Sequence, residues 1–491
     1  MTEFRAKYSP AGKLALEEAK PNERWADAKL SNSQNFSVWH LERVKAAAEV
    51  LQETRIAGPS HGFLSKHSLV KKVIRAIAFA LASLIAFAFF VGYLTMIRVR
   101  HRSAPLPDNV DRIAAVHGEW SNRTKHVLEA IPKADPPVQA ILIVGRQTVC
   151  QTMVAAMWSE KLPQLEGLCI LTPVSFGAAM AALRDIPALL REGFSAAIAA
   201  EHLLGPRGEL ALSFRVFLGA TNGRWWEQQS AGRSVEVLFG CTGTADTTLL
   251  ERAIQQQAGR TVHLVHGQAI GPNFAGLSDY ALFKSKFDAD SYDRLGCYKN
   301  CDVQMGDRPE VRRGTSEVLL LSNFAHPMNQ GFRRSGLTDE LNLLACVSRA
   351  AKLTMREDVS LIWKPHPVTL DLDTKLLNKL RCSAKALGFR ELPSDTSLDK
   401  ASENARWVIC SPSTAAIDLI QIGTLSIVLD PQHTTVGTAI STFPGLDSLQ
   451  PEALAALMAE LDCPDVYEAT LDKAYSSIQP AAPLDLSKPL R

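Results

Sequence analysis

A basic motif in the second half of the chain carries two side chains that could bind phosphate. It reads Lys364-Pro365-His366-Pro367 and directly follows the apolar run LIW. The run is typical of a buried strand, and the two prolines of the motif end that strand and stiffen the turn. Ligands of open α/β sheets bind at the carboxyl ends of strands. The pattern therefore predicts a phosphate contact from Lys364 and His366, against the alternative of an exposed histidine in a rigid turn.

A hydroxyl-rich motif follows a second predicted strand, WVIC. It reads Ser411-Pro412-Ser413-Thr414 and precedes the helical segment AAIDLIQIG. Ser413 or Thr414 could cap that helix, and free N–H groups at a helix start attract anions. We therefore predict that Ser411, Ser413 and Thr414 face the same phosphate as His366. Simple helix capping is the structural alternative, and Asp418, one turn further on, could cap or form a salt bridge.

A third candidate, His266, ends the predicted strand TVHLVHG and precedes Gly267. Glycine permits a sharp turn there. A histidine titrates near neutral pH and suits a general base that removes a proton from a hydroxyl. We expect His266 to face a cleft between two domains, although a turn histidine bonded to backbone would look the same in sequence.

The His-Pro pair, followed roughly 45 residues later by the Ser/Thr cluster, resembles the donor half of bacterial GT-B glycosyltransferases. The similar families are capsule and surface-polysaccharide transferases, bacterial sialyltransferases and CDP-glycerol glycerophosphotransferases. The resemblance covers roughly residues 235–430. It implies that the two motifs, including Pro367, hold the CMP part of an activated donor, and that the His-Gly pair acts on the acceptor. It also implies metal-independent transfer without a cofactor.

Strand and helix patterns place these motifs in two Rossmann-like α/β domains, the GT-B architecture. The predicted domains are an acceptor domain over 137–307 and a nucleotide donor domain over 317–450, followed by a helical tail over 451–491. The charged, Pro- and Gly-containing segment 308–316 between them is the expected hinge. The segments before them are predicted as a polar arm (1–75), a transmembrane helix (76–97) and a tether (98–136).

The apolar segment 76–97 has 22 residues and no charge, enough to span a hydrocarbon core of about 30 Å. Basic residues flank it equally: Lys66, Lys71, Lys72 and Arg75 before it, and Arg98, Arg100, Arg102 and Arg112 after it. The positive-inside rule therefore leaves its orientation open, and a re-entrant hairpin is an alternative. Deletion of residues 1–100 is expected to leave a soluble protein, because the apolar stretch is confined to this segment.

Composition narrows the function further. A net charge of +2 over 491 residues gives no basic field for nucleic acid. The nine cysteines are irregularly spaced and several fall in predicted core elements, which favours reduced thiols over disulfides and matches no zinc pattern. We therefore expect a single-pass protein of a bacterial inner membrane with its catalytic domains in the cytoplasm.

The sequence supports three functions. The first is a membrane-anchored glycosyltransferase or polyol-phosphate transferase that uses a CMP- or CDP-type donor and a polysaccharide or lipid-linked acceptor. The second is a non-catalytic GT-B-like scaffold or binding protein in envelope assembly. The third is a nucleotide-sugar epimerase or hydrolase on the same fold.

Overall fold

The structure is a computed structural model, and it describes fifteen ranges of the chain. These are residues 69–100, 104–117, 122–144, 168–199, 205–230, 233–240, 245–265, 278–294, 298–322, 337–354, 359–366, 374–393, 396–431, 439–482 and 484–487. Two candidate residues, His266 and Pro367, lie outside the described residues. So does most of the predicted polar arm, residues 1–68.

The strands of the described ranges are short and mostly buried. They are β1 (Arg112–His117), β2 (Ala140–Val144), β3 (Cys169–Leu171), β4 (Glu236–Phe239), β5 (Arg260–Leu264), β6 (Tyr280–Leu282), β7 (Asn300–Asp302), β8 (Glu317–Ser322), β9 (Ser360–Pro365), β10 (Phe389–Glu391), β11 (Ala405–Cys410), β12 (Ser426–Leu429) and β13 (Gly445–Leu446).

Helices separate most of these strands along the chain. They are α1 (Leu69–Arg100), α2 (Asn122–Ala130), α3 (Phe176–Ala199), α4 (Gly205–Ser230), α5 (Ala245–Gln256), α6 (Lys286–Arg294), α7 (Leu337–Leu353), α8 (Thr374–Ala386), α9 (Leu398–Ser402), α10 (Ala415–Ile420), α11 (Pro451–Glu460) and α12 (Pro464–Ile478). Short 3₁₀ turns lie at Ile131–Lys133 and Ala439–Thr442.

The chain divides into two compact units, each with one parallel sheet. The C-terminal unit comprises Lys284–Asp288 and Met305–Ala482, and the N-terminal unit holds the other described residues. The N-terminal sheet has the order β3-β2-β1-β4-β5-β6-β7, and the C-terminal sheet has the order β10-β9-β8-β11-β12-β13. The prediction of two α/β domains with parallel sheets is confirmed. In each sheet the first strand of the chain is internal. The next two strands are added on one side of it, and the chain then returns to add the remaining strands on the other side, as in the Rossmann arrangement.

Alternate residues of β1 face opposite sides of the N-terminal sheet, and both sides are buried. Ile113 and Ala115 belong to a core cluster that includes Trp225 and Trp226 of α4. Ala114 and Val116 belong to the cluster on the other side. A parallel sheet covered on both faces explains why its strands are continuous apolar runs in the sequence.

The predicted tether over residues 98–136 is wrong. This segment contains α2 and β1, and β1 is the strand from which the N-terminal sheet is built, paired with β2 and β4. The sequence RIAAVH is short and lies between charged and polar residues, so it resembled linker. Burial on both faces, which only the assembled sheet provides, makes it a strand.

The segment predicted as a hinge, residues 308–316, is bound along the C-terminal unit. Arg312 N donates to Gly423 O (2.8 Å) and Gly314 N donates to Ala405 O (2.9 Å). Gly423 has a φ of +81°, and a Cβ there would overlap the Glu310 carbonyl oxygen. Glycine at 423 thus serves both the positive φ and the close approach of the segment.

The last helices, α11 and α12, pack into the core of the C-terminal unit through Leu454, Met458 and Leu471. The residues after them bond within the N-terminal unit instead. Asp485 exchanges two hydrogen bonds with the Gln304 side chain (2.7 and 2.9 Å), and Leu486 O accepts from Asp135 N (2.9 Å).

The apolar segment forms one uninterrupted helix of 32 residues, α1, so the hairpin alternative is wrong. Within the described residues it is the one helix long and apolar enough to cross a membrane, over Ala76–Thr95. One face of α1 is buried against α3 and α4. Phe90 lies in a cluster with Ile186 and Phe217, and Ser83 Oγ lies 3.1 Å from Ser213 Oγ.

This packing contradicts the expectation that deletion of residues 1–100 leaves a soluble protein. Removal of α1 would uncover Phe217, Leu218 and Val216, which are all at most 1% exposed. Burial of a large apolar side chain is worth about 1.5–3 kcal/mol, so the truncated N-terminal unit should be destabilised and prone to aggregate.

Two adjacent phenylalanines test whether α1 is packed in this way. Phe90 is 0% exposed and Phe89 is 62% exposed. We expect Phe90→Ala to lower the free energy of unfolding by about 3–5 kcal/mol, whereas Phe89→Ala changes it by less than about 0.5 kcal/mol. Denaturant unfolding of the full chain in detergent measures both. Equal effects of the two substitutions would mean that α1 does not rest on α3 and α4.

Candidate functional site

The His-Pro motif and the Ser/Thr cluster lie at the ends of two strands, β9 and β11, that flank β8. Strand β8 pairs with β9 on one side and with β11 on the other, all in parallel. His366 N donates to Ser322 O (3.1 Å), and Ser411 N donates to Leu321 O (3.0 Å). The tertiary structure therefore brings the His-Pro motif and the Ser/Thr cluster to the same carboxyl edge of one sheet.

This edge is the point where the strand order reverses. The crossovers from β8 run to β9 and β10 on one side, and β11, β12 and β13 lie on the other. Ligands of such sheets bind outside the carboxyl ends of strands at this point. Two interstrand spacings separate β9 from β11, about 10 Å in all, so long side chains from both motifs could reach one ligand.

The basic half of the site is firmly held. Lys364 pairs with Leu321 in the ladder and is 8% exposed, and His366 is half-buried. Trp363, which is fully buried, donates its indole N–H to Ser322 Oγ (2.8 Å).

The hydroxyl half differs in detail from the prediction. Ser413 Oγ accepts from Ala415 N (3.2 Å) and so caps α10, while the Thr414 side chain makes no cap hydrogen bond. Helix α10 has six residues, too short for a strong helix dipole. The Ser413 hydroxyl accepts this bond and can still donate its own proton, so anion binding at this edge would depend on the hydroxyls of Ser411, Ser413 and Thr414 and on the basic motif, more than on the helix start.

Asp418 forms a salt bridge, one of the two roles that the sequence allowed. Its Oδ1 lies 2.6 Å from Lys284 Nζ, and the two side chains are 27% and 12% exposed. The same segment is fixed twice more, because Ala481 N donates to Lys284 O and Gln421 Nε2 donates to Ala481 O, both at 2.8 Å. Lys284 thus anchors α10, the helix that directly follows the hydroxyl cluster in the chain. No sequence signal linked these residues, which are 134 positions apart.

Asp430 is a second residue that the sequence analysis missed. It follows β12, the neighbour of β11, and is 5% exposed with its backbone N donating to Leu446 O (2.9 Å). A carboxylate at the next strand end along the same edge could accept hydrogen bonds from ligand hydroxyls. The Asp-Pro pair directly after the apolar run LSIVL was the signal available in the sequence.

His266 lies outside the described residues, and the structure describes only the strand that precedes it. Strand β5 ends at Leu264, and Val265 N donates to Leu282 O (2.9 Å). The described stretch therefore ends, with Val265, at the carboxyl edge of the N-terminal sheet, and the role of His266 stays a prediction.

Asp288 makes the stability of the C-terminal unit depend on pH. Burial raises the pKa of its carboxyl to about 6, against the opposite effect of hydrogen bonds from the Ser285 hydroxyl and the Ala439 backbone N–H. The folded protein then holds this proton more tightly than the unfolded chain. The contribution of Asp288 to stability is therefore greatest below about pH 4 and declines as the pH rises to about 6, by up to about 3 kcal/mol.

Asp288→Asn should remove that decline. We expect the variant to gain stability relative to the unsubstituted protein between about pH 4 and 6 and to keep the gain above that range. Melting temperatures of both proteins across this range measure the difference. A constant difference from pH 4 to 7 would show that Asp288 ionises normally.

Comparison with known proteins finds similar solved structures, but only at low sequence identity. No protein-family model and no curated protein matches the sequence. Among solved structures, the UDP-GlcNAc 2-epimerase from Neisseria meningitidis bound to UDP-GlcNAc is 10% identical, with 77% of this chain and 96% of that chain covered at a TM-score of 0.43. An alpha,alpha-trehalose-phosphate synthase (UDP-forming) from Burkholderia vietnamiensis is 10% identical (75% and 95% covered, TM-score 0.42). The UDP-GlcNAc 2-epimerase from Methanocaldococcus jannaschii is 12% identical (70% and 92% covered, TM-score 0.41).

Proposed function

We propose that this protein is a GT-B-like glycosyltransferase or polyol-phosphate transferase that uses a nucleotide-activated donor, of CMP or CDP type, in surface polysaccharide or glycolipid synthesis. The observation that carries the proposal is the meeting of two motifs at one strand edge. The His-Pro motif and the Ser/Thr cluster flank β8 at the point where the Rossmann order reverses.

The donor half of the reaction follows from these groups. His366 and Lys364 would hold the donor phosphate with the hydroxyls of Ser411, Ser413 and Thr414, and Pro367 would fix the turn. When the bond from the transferred carbon or phosphorus to the nucleotide oxygen breaks, its electron pair stays on that oxygen. Positive charge and hydrogen-bond donors beside it stabilise the developing negative charge.

The acceptor half needs a base. An acceptor hydroxyl oxygen forms the new bond to the transferred group, and its proton must leave. His266 would take this proton, because an imidazole with the ordinary histidine pKa is largely neutral at pH 7. The acceptor would be a polysaccharide or a lipid-linked glycan, and none of these steps requires a metal or another cofactor.

The location is part of the proposal. Nucleotide-activated donors are made in the cytoplasm, so both α/β units would face the cytoplasm at a bacterial inner membrane. The six cysteines in the described ranges, among them the buried Cys346 and Cys410, form no disulfide, which suits a reducing compartment.

A donor screen by thermal unfolding tests the function. Ligand at 100 times its Kd should stabilise the protein by about 2.7 kcal/mol. We expect one of the CMP-, CDP-, UDP- or GDP-linked donors to raise the melting temperature of the full chain, and we expect it to stabilise the Lys364→Ala/His366→Ala variant much less.

The outcomes separate the three candidate functions. A failure of all donors to stabilise the protein would favour the scaffold. Conversion of the bound donor without an added acceptor, detected by mass spectrometry, would favour an epimerase or a hydrolase. Appearance of an acceptor product with the mass of the transferred group would support the transferase.

A further inference from the structure

The outer face of α1 is an unusually apolar surface. Eight large hydrophobic residues on this helix are more than 40% exposed, and Leu84 and Phe89 reach 67% and 62%. Six of them lie along one side of the helix, and we call these six the outer stripe: Ile74, Ile77, Leu81, Leu84, Ile85 and Phe89. The stripe runs for about 22 Å along the helix. Water-facing apolar surfaces of this extent mark sites of interaction.

The inner face of α1 is committed to the N-terminal unit. Phe79, Ala86, Phe90 and Leu94 are at most 5% exposed and pack against α3 and α4. Helix α4 in turn places Trp225 and Trp226 in the core against the sheet. Lipid could therefore reach α1 from one side only while this packing persists.

Charges on the supporting helices oppose a position across the bilayer. Arg184, Arg191 and Glu192 of α3 are exposed, and Asp185 of α3 forms a bidentate pair with Arg224 of α4 (both 2.6 Å). A charged residue at the centre of a membrane-spanning helix costs at least about 2.5–3.5 kcal/mol. To cross the membrane, α1 would have to draw these helices in with it or detach from them.

The charges in the sequence around α1 indicate that the surface it contacts is anionic. No aspartate or glutamate occurs between Glu53 and Asp108, whereas Arg55, Lys66, Lys71, Lys72, Arg75, Arg98, Arg100 and Arg102 do. Basic residues therefore flank both ends of the apolar helix, as expected if both ends lie at the same anionic surface. Arg112, counted as a flank in the sequence, instead belongs to β1 and pairs with Glu236 at 2.6 Å.

We propose that α1 lies along the surface of an anionic lipid bilayer, with the outer stripe immersed in one leaflet and its inner face fixed to α3 and α4. In this arrangement α1 is a membrane-docking element of the N-terminal unit. It does not cross the bilayer, so its two ends lie on the same side. The proposal is independent of the donor chemistry, and its tests do not use enzymatic activity.

Vesicle flotation of the full chain tests the lipid contact. After removal of detergent, the protein should float with vesicles of phosphatidylcholine and phosphatidylglycerol, and more weakly with phosphatidylcholine alone. Leu84→Asp/Phe89→Asp should reduce the floated fraction about tenfold or more. The matched control is Val311→Asp/Leu353→Asp, at positions 37% and 41% exposed in the C-terminal unit, and it should float normally. Circular dichroism would confirm that both variants are folded.

Two results would overturn this contact. One is equal flotation of the stripe variant and the unsubstituted protein. The other is a protein that does not float and forms a dimer that the stripe substitutions dissociate, because a second copy would then cover the stripe.

Sidedness tests the orientation. A chain with different epitope tags at its two termini should lose both tags to protease in inside-out membrane vesicles, and keep both in vesicles of the opposite orientation. Protection of one tag and loss of the other in the same vesicles would mean that α1 crosses the bilayer, and the proposal would be wrong.

Discussion

His266→Ala is expected to lower turnover by about 10²–10⁴-fold, the usual contribution of a general base. The substitution should leave the affinity for the nucleotide donor nearly unchanged, because His266 is assigned to the acceptor and belongs to the other α/β unit in the chain. If the proposed activity holds, the unsubstituted protein should show a rise of activity near neutral pH as the imidazole loses its proton, and the variant should lack that rise. Initial rates across pH and a separate measurement of nucleotide binding check the two parts.

Added imidazole provides a further control for His266→Ala. If the side chain acts only as a base, free imidazole should restore part of the activity, whereas a structural turn histidine would not be rescued. Loss of nucleotide binding in this variant would show that the roles of the two histidines are reversed.

His366→Ala is expected to weaken nucleotide binding and slow transfer together. The loss of a charge-assisted hydrogen bond to phosphate costs about 1.5–3 kcal/mol at a buried site, or about 10–150-fold in affinity. His366→Gln keeps a donor and should retain more of the affinity. Calorimetric titration with the nucleotide product measures all three proteins without need of an acceptor.

The hydroxyl cluster should give the same phenotype as His366. Ser413→Ala combined with Thr414→Ala should weaken nucleotide binding, because both hydroxyls are assigned to the phosphate that His366 contacts. Ser397→Ala is the matched control. Ser397 caps α9 by accepting from Lys400 N (3.3 Å), so its loss should cost about 1 kcal/mol of stability and no affinity. Unchanged binding in the double variant would place the phosphate elsewhere.

The sequence by itself determined much of the C-terminal unit. Strands such as WVIC and LIWKP are buried on both faces, so each is a continuous apolar run with a sharp polar end. Their carboxyl ends could be aligned because parallel strands joined by helices all point the same way. The expectation that His366 and Ser411 lie at one edge followed from this rule, and the backbone of both residues bonds to β8 there, whereas their contact with a donor phosphate stays a prediction.

Only the tertiary structure decided the rest, because the missing information lies in contacts between distant parts of the chain. Strand β1 was hidden in a segment with linker-like composition, and its burial comes from β2, β4 and the helices on both sides. The Lys284–Asp418 pair joins residues that no local pattern relates. For α1, the sequence established that 22 uncharged residues form an apolar helix. It could not reveal that α3 and α4 cover one side, since hydrophobicity is the same whether an apolar face meets protein or lipid.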